Sequence, residues 1–306
     1  MIRPGYKAQV DLLLDVLPYV AKEKCFAMKG GTAINMFIWD MPRLSVDIDL
    51  TYIHFNDRSS AFAEITESIL RIKEDIIKSI PGIQIETSGV APEVKDKLLC
   101  ARAGTKIKVE VNTTMRGIIN PVRLKQASPA VRKEFDKFAA INVVSDAELF
   151  GGKICAALDR QHPRDLFDIY QLFNNGGITE EIKEGFIASL LSHNKSINEV
   201  LRPNLQDQKQ AFSSQFEGMT ITPFTYADYE TSRYRLIKEI SELLTKNDKK
   251  LLFSFKSGNP DWSLSNTQQL QHLPAIKWKL KNIQKFKQQD PGQHGIMLGK
   301  LESVLS

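Results

Sequence analysis

The sequence predicts an α+β fold in two parts, a strand-and-helix N-terminal half and a helical C-terminal half. Three observations carry this expectation. Strand-period and helix-period apolar runs are interleaved as far as residue 112. A glycine turn, Lys29-Gly30-Gly31-Thr32, precedes an acid-bearing apolar run, Arg43-Leu44-Ser45-Val46-Asp47-Ile48-Asp49-Leu50. Beyond Asn174-Asn175-Gly176-Gly177 the chain reads as helices broken by Pro203, Pro223, Pro260 and Pro274. That Asn/Gly cluster sets the expected boundary, with a first domain over 1–175 and a second over 176–306.

In chain order, 11–24 carries Leu13, Val16, Leu17 and Val20 on one helical stripe. Residues 26–28 are apolar and end at the glycines, as a strand entering a turn does. A helix over 32–39 follows, and Pro42 ensures that it has stopped. The two aspartates lie in a strand over 46–53. Ile65, Ile69, Ile72 and Ile76 mark a helix over 59–80, ended by Pro81-Gly82. Strands are expected at 83–87, 97–103 and 105–112, the last two joined by a hairpin turn at Ala103-Gly104-Thr105. Helices over 146–160 and 165–173 complete the first domain.

Composition narrows the class. With 306 residues, 42% hydrophobic and 25% charged, this is an ordinary globular chain with one large core or two modest ones. A net charge of +5 permits a polyanionic partner without requiring one. Cys25, Cys100 and Cys155 lie far apart with no metal-ligand spacing, which argues against a disulfide scaffold. The start lacks a signal-peptide apolar core, and no apolar run approaches the ~18 residues that span a bilayer. The expected setting is cytoplasmic, with no membrane partner.

The chemistry begins with the aspartates. A strand sends residues i and i+2 to one face, so Asp47 and Asp49 project together. Adjacent carboxylates repel, and Mg²⁺, which takes one or two carboxylates plus phosphate oxygens, is a common reason to keep them together. The glycine turn offers backbone N–H groups to the same phosphates. Plain turn chemistry and a solvated strand edge explain each half alone. The order of turn, helix, loop with Arg43 and Ser45, then Asp-x-Asp strand points to nucleotidyl transfer.

Three further segments bear on function. In 106–112, Ile107, Val109 and Val111 face one side and Lys106, Lys108, Glu110 and Asn112 the other. This is either a strand with a wet outer face or a placement of Glu110 beside Asp49 as a third carboxylate. Glu148, Lys153, Arg160, Arg164, Asp165 and Asp168 gather over 148–168, where lysine and arginine suit phosphate. The alternatives are a helix cap at Asp165 and a surface pair at Arg164, with His162 a solvated loop residue. Finally, 262–289 contains no acid while Lys277, Lys279, Lys281, Lys285 and Lys287 surround Trp278. With Ile276, Leu280 and Ile283 buried, that helix presents either a solvated basic face or a surface for RNA phosphates.

Together these segments resemble the AbiEii/AbiGii family of nucleotidyltransferase-like toxins, seen in abortive-infection and MenT-type toxin–antitoxin systems. The likeness rests on Gly30-Gly31-Thr32-Ala33, on Arg43-Leu44-Ser45-Val46-Asp47-Ile48-Asp49 and on the strand around Glu110. It also rests on Lys153 with Arg160, Arg164, Asp165 and Asp168, and loosely on Pro260-Asp261-Trp262. The resemblance implies a DNA-polymerase-β-like nucleotidyltransferase core with a helical C-terminal domain. It implies Mg²⁺ on Asp47 and Asp49, with Glu110 as a third ligand, and a nucleoside triphosphate lined by Gly30, Gly31, Arg43 and Ser45. Lys153 would contact phosphate, and Asp168 or Asp165 would stand near the attacking hydroxyl. In place of the Gly-Ser of the wider superfamily, Thr32 or Ser45 must supply the phosphate-facing hydroxyl. The implied acceptor is the 3′ end of transfer RNA, the implied partner a cognate antitoxin encoded nearby, and the implied setting phage defence. An antibiotic-type small-molecule nucleotidyltransferase and a non-catalytic nucleotide- or RNA-binding protein are the other readings.

Overall fold

The computed structural model describes residues 4–306. By their internal contacts these form two units, one running to Ser145 and joined by Phe216–Pro223, the other Asp146–Gln215 with Phe224–Ser306. The division therefore falls ahead of the helix that begins at Asp146, and the Asn/Gly cluster at 174–177 is a link within the second unit.

The first unit contains α1 (Pro4–Val20), β1 (Phe26–Lys29), α2 (Gly30–Ala33), β2 (Asp47–Tyr52) and α3 (Arg58–Ser79). Then come β3 (Gln84–Ser88), β4 (Lys97–Arg102), β5 (Thr105–Asn112), β6 (Arg123–Gln126), α4 (Pro129–Phe135) and β7 (Ala140–Val143). α2 runs directly into a π-helical turn, Ile34–Ile38. The strands form one mixed sheet in the order β3-β4-β5-β2-β1-β7-β6. β2 lies antiparallel to β1 and parallel to β5, while β7 pairs parallel to β1. Alternation sorts its faces: Ile48, Leu50, Ile107, Val109 and Val111 are buried, whereas Asp47, Asp49, Lys108 and Glu110 are half-buried. The β4–β5 hairpin turns where expected, with Ala103 and Gly104 both left-handed (φ 48° and 79°).

The first five strands lie where the alternation placed them. β6, α4 and β7 lie outside the elements that the sequence predicts. β6 (Arg-Leu-Lys-Gln) and β7 (Ala-Ile-Asn-Val) are four residues each, too short for a periodic signal. β7 is a strand because the sheet supplies neighbours on both sides, β1 and β6.

The segment 216–223 returns from the helical half of the sequence to the first unit. The Leu44 N–H donates to the Met219 carbonyl (2.7 Å) and the Ile221 N–H to the Pro42 carbonyl (2.9 Å). It braces the stretch that leads into Asp47.

The second unit is helical: α5 (Asp146–Arg160), α6 (Pro163–Asn174), α7 (Glu180–Ser192), α8 (Ile197–Leu201) and α9 (Lys209–Gln215). After the return segment come α10 (Tyr226–Leu243), α11 (Lys246–Lys256), α12 (Pro274–Gln289) and α13 (Pro291–Leu305). α5 and α7 cross backbone to backbone at two glycines. A Cβ on Gly185 would sit 1.9 Å from the Ala147 carbonyl oxygen, and one on Gly151 2.2 Å from the Gly185 carbonyl carbon. Neither neighbour is a side chain that can swing away. Gly185→Ala is therefore expected to destabilise the protein by about 3 kcal/mol, at the upper end of overpacking costs, read as a lower denaturation midpoint. An unshifted midpoint would show that the helices can separate freely.

Candidate active site

The first unit gathers Gly30, Gly31, Thr32, Arg43, Ser45, Asp47, Asp49 and Glu110 around the ends of β1 and β2. β1 pairs antiparallel with β2 so that Lys29 lies opposite Asp49, and the chain must turn sharply at the next residue. Gly30 makes that turn at φ +76°, a left-handed conformation costly for other residues. A Cβ there would also lie 2.6 Å from Asp49 Oδ2, so the glycine backbone sits directly against that carboxylate. A Cβ on Gly31 would lie 2.6 Å from Arg43 Nη2 and 3.1 Å from Ser45 Oγ. The two glycines thus form a cradle bounded by a carboxylate, a guanidinium and a hydroxyl.

Buried polar groups fix the cradle. The fully buried Thr32 hydroxyl hydrogen-bonds the Asp47 carbonyl and lies 2.9 Å from Ser45 Oγ. It ties the helical turn to the start of β2 and is committed to that task. Arg43 is buried and donates through Nη1 to the Leu44 carbonyl (2.9 Å). Asn35, one turn along, donates from Nδ2 to the Gly31 carbonyl (2.9 Å). In the sequence the only signal for Asn35 is its spacing of four from Gly31.

Glu110 does lie beside Asp49 in the parallel register, and Lys108 beside Asp47. Its carboxylate, however, is held by two ammonium groups, Lys108 Nζ at 2.6 Å and Lys97 Nζ at 2.8 Å. Burial opposes ionisation of Glu110, but these partners outweigh it and hold its carboxyl below the usual carboxylate range. Burial also opposes charge on Lys108, and is outweighed by the Glu110 hydrogen bond and the field of Asp47, Glu110 and Asp49, which push its pKa up. Among the described residues, no three His, Cys, Asp or Glu side chains gather as a metal-ligand set. Asp47 and Asp49 share one strand face, with the Lys108 ammonium as a neighbouring counter-charge. Two carboxylates suit a cation such as Mg²⁺ that draws its other ligands from phosphate and water.

The second cluster lies at the α5–α6 corner of the second unit. Lys153 Nζ is 2.7 Å from Asp165 Oδ1 and 3.0 Å from Asp168 Oδ2, all three residues being buried. Arg160 joins Asp165 through Nε (2.5 Å) and Nη2 (3.1 Å). Burial would raise the pKa of Asp165, but the charges of Lys153 and Arg160 dominate and hold it well below the carboxylate range. Asp165 is thus an ion-pair partner and not a helix cap. The cap of α6 is His162, whose Nδ1 accepts from the Arg164 N–H (3.1 Å) while Nε2 lies 3.1 Å from Gln215 Oε1. His162 is thus a half-buried cap and not the expected solvated loop residue. Asp261 of the Pro-Asp-Trp run caps the short turn after it, accepting from the Ser263 N–H (3.1 Å) and hydroxyl (2.6 Å).

Comparison with known proteins follows the same lines. The family described as "Nucleotidyl transferase AbiEii toxin, Type IV TA system" matches residues 11–282. No curated protein matches the chain by sequence. Among solved structures, the MenT4 nucleotidyltransferase toxin of Mycobacterium tuberculosis superposes with a TM-score of 0.62 at 14% identity, covering 92% of this chain and 95% of that one. At that identity the likeness shows a shared fold.

Proposed function

The chain belongs to the AbiEii family of nucleotidyltransferase toxins of type IV toxin–antitoxin systems, and from this we propose a Mg²⁺-dependent transfer of a nucleotide from a nucleoside triphosphate to the 3′ end of transfer RNA. The observation that carries the proposal is the Gly30 backbone seated against the Asp49 carboxylate, with Asp47 on the same strand face. Asp47 and Asp49 would hold the Mg²⁺, which when bound offsets charge on the triphosphate. The backbone N–H groups of Gly30 and Gly31 orient phosphate oxygens, with Arg43 and Ser45 at the edge of the cradle. The acceptor hydroxyl gives its proton to water and attacks the α-phosphorus, a new phosphodiester forms, and the bond to the leaving pyrophosphate breaks. Catalysis rests on positioning and on fixed charge. Lys153 takes a phosphate-contacting role in this reading, in competition with the two carboxylates that already hold it. Arrest of translation, restrained by a cognate antitoxin, would make the chain an abortive-infection toxin against phage.

Incubation with total RNA, Mg²⁺ and each labelled nucleoside triphosphate in turn tests the proposal. Label in the transfer RNA fraction is expected. Label found only on small molecules would favour the antibiotic-type reading, and none under any condition the non-catalytic one.

The same assay separates the roles of Glu110 and Lys108. If Glu110 chiefly holds Lys108, then Glu110→Gln and Lys108→Gln each raise the nucleotide KM several-fold, and the double variant is no worse than either. A loss of kcat by orders of magnitude in Glu110→Gln alone, with Lys108→Gln near normal, would make Glu110 a direct metal ligand.

A further inference from the structure

The lysine-rich α12 of the second unit divides its cations between two tasks. Lys279 points inward, donating to the carbonyls of Leu190 and Lys195 (3.2 Å each) at the end of α7, and burial pushes its pKa down to about 8. Lys287 donates to the Ser257 carbonyl (2.9 Å). Lys279 thus belongs to the packing, while Lys287 stays exposed but tethered, so that most of the lysines lie on the outer side as expected. Lys277, Lys281 and Lys285 are exposed, and none makes an ion pair or hydrogen bond among the described residues.

Helical geometry aligns those three. At about 100° per residue, positions i, i+4 and i+8 fall within an arc of about 80°, spaced about 6 Å along the axis. Ala275, Ile276 and Ile283 fill the opposite, buried side. Trp278 borders the arc with 59% of its surface exposed, although a large aromatic side chain ordinarily seeks burial. Apart from Lys287, the other exposed positions of the helix are amides, Asn282, Gln284, Gln288 and Gln289, and no carboxylate occurs anywhere on the helix. Three unpaired ammonium groups in a row beside a bare aromatic ring form a surface for alternating phosphates and bases.

The geometry points to Lys277, Lys281, Lys285 and Trp278 as an RNA-docking face, the lysines contacting successive phosphates of a single-stranded segment and the indole stacking on a base. This inference rests on the proposed RNA acceptor and names the surface that holds it.

The test measures binding of the full chain to total transfer RNA over a salt series. For Lys277→Gln/Lys281→Gln/Lys285→Gln, the slope of log affinity against log salt should fall by about 2, from about 0.7 per lost contact. Trp278→Ala should weaken binding about fivefold to 150-fold with the slope unchanged. Lys287→Gln, whose partner is internal, should leave the slope as in the wild type. Circular dichroism verifies that the surface variants are folded. A triple variant with wild-type slope and affinity overturns the docking face while the acceptor reading survives if RNA is still labelled. Selective loss of binding to phosphatidylserine vesicles, with RNA binding intact, also overturns it and assigns the face to membranes. A wild-type chain that neither binds nor labels RNA overturns both.

Discussion

Asp49→Asn is expected to reduce nucleotide transfer by about a thousandfold or more while leaving the fold intact. Asparagine matches aspartate in shape, so it fits against Gly30, where no extra atom can be added. What it removes is charge. Asp49 lies on the half-exposed face of a strand whose buried side, Ile48, Leu50 and Tyr52, is untouched by the change. Fixed charge aimed at a reacting phosphate is commonly the largest contribution to such a reaction, and a thousandfold corresponds to about 4 kcal/mol. Label transfer, with thermal melting alongside, reads both parts. Retained transfer in a folded Asp49→Asn protein would remove the carboxylate pair from the reaction.

Lys153→Ala is expected to cost more stability than any other single side-chain truncation at the α5–α6 corner. It would leave the buried Asp168 without this ammonium and Asp165 with Arg160 as its ion-pair partner. Removing one member of a buried ion pair typically costs about 3–5 kcal/mol. Loss of activity in that variant would confound chemistry with unfolding. Lys153→Met/Asp168→Asn avoids this, because it removes one charge of each sign and keeps the volume. The double variant should regain most of the lost stability in a denaturant titration. If it remains inactive, Lys153 or Asp168 acts in transfer. If activity returns with stability, the corner serves the fold alone.

Several of these features were legible in the sequence because they are local. The turn at Gly30, the helix after it and the shared face of Asp47 and Asp49 follow from glycine conformation and the two-residue strand period. The inward and outward sides of β5 follow from its unbroken alternation. What escaped reading depends on neighbours distant in sequence. Register alone brings Lys108 beside Asp47 and lets Lys97 reach Glu110 across β4 and β5. β7 is a strand because β1 and β6 flank it, and the brace at 216–223 lies far from the Pro42–Leu44 stretch that it supports. The inward turn of Lys279 depends on where α7 ends, since two backbone carbonyls there accept its protons. His162 and not Asp165 is the cap because α6 starts at Pro163, two residues before the expected start, which puts Asp165 inside the first turn where it pairs with Lys153 and Arg160.

The most direct measurement compares intact transfer RNA with transfer RNA whose terminal ribose diol has been destroyed by periodate. Each is incubated with the protein, Mg²⁺ and the nucleoside triphosphate that gives the most label. Transfer through the 3′ hydroxyl predicts label on the intact RNA, equimolar pyrophosphate released, and neither product from the oxidised RNA. Equal labelling of both RNAs would contradict the assignment of the 3′ end as acceptor.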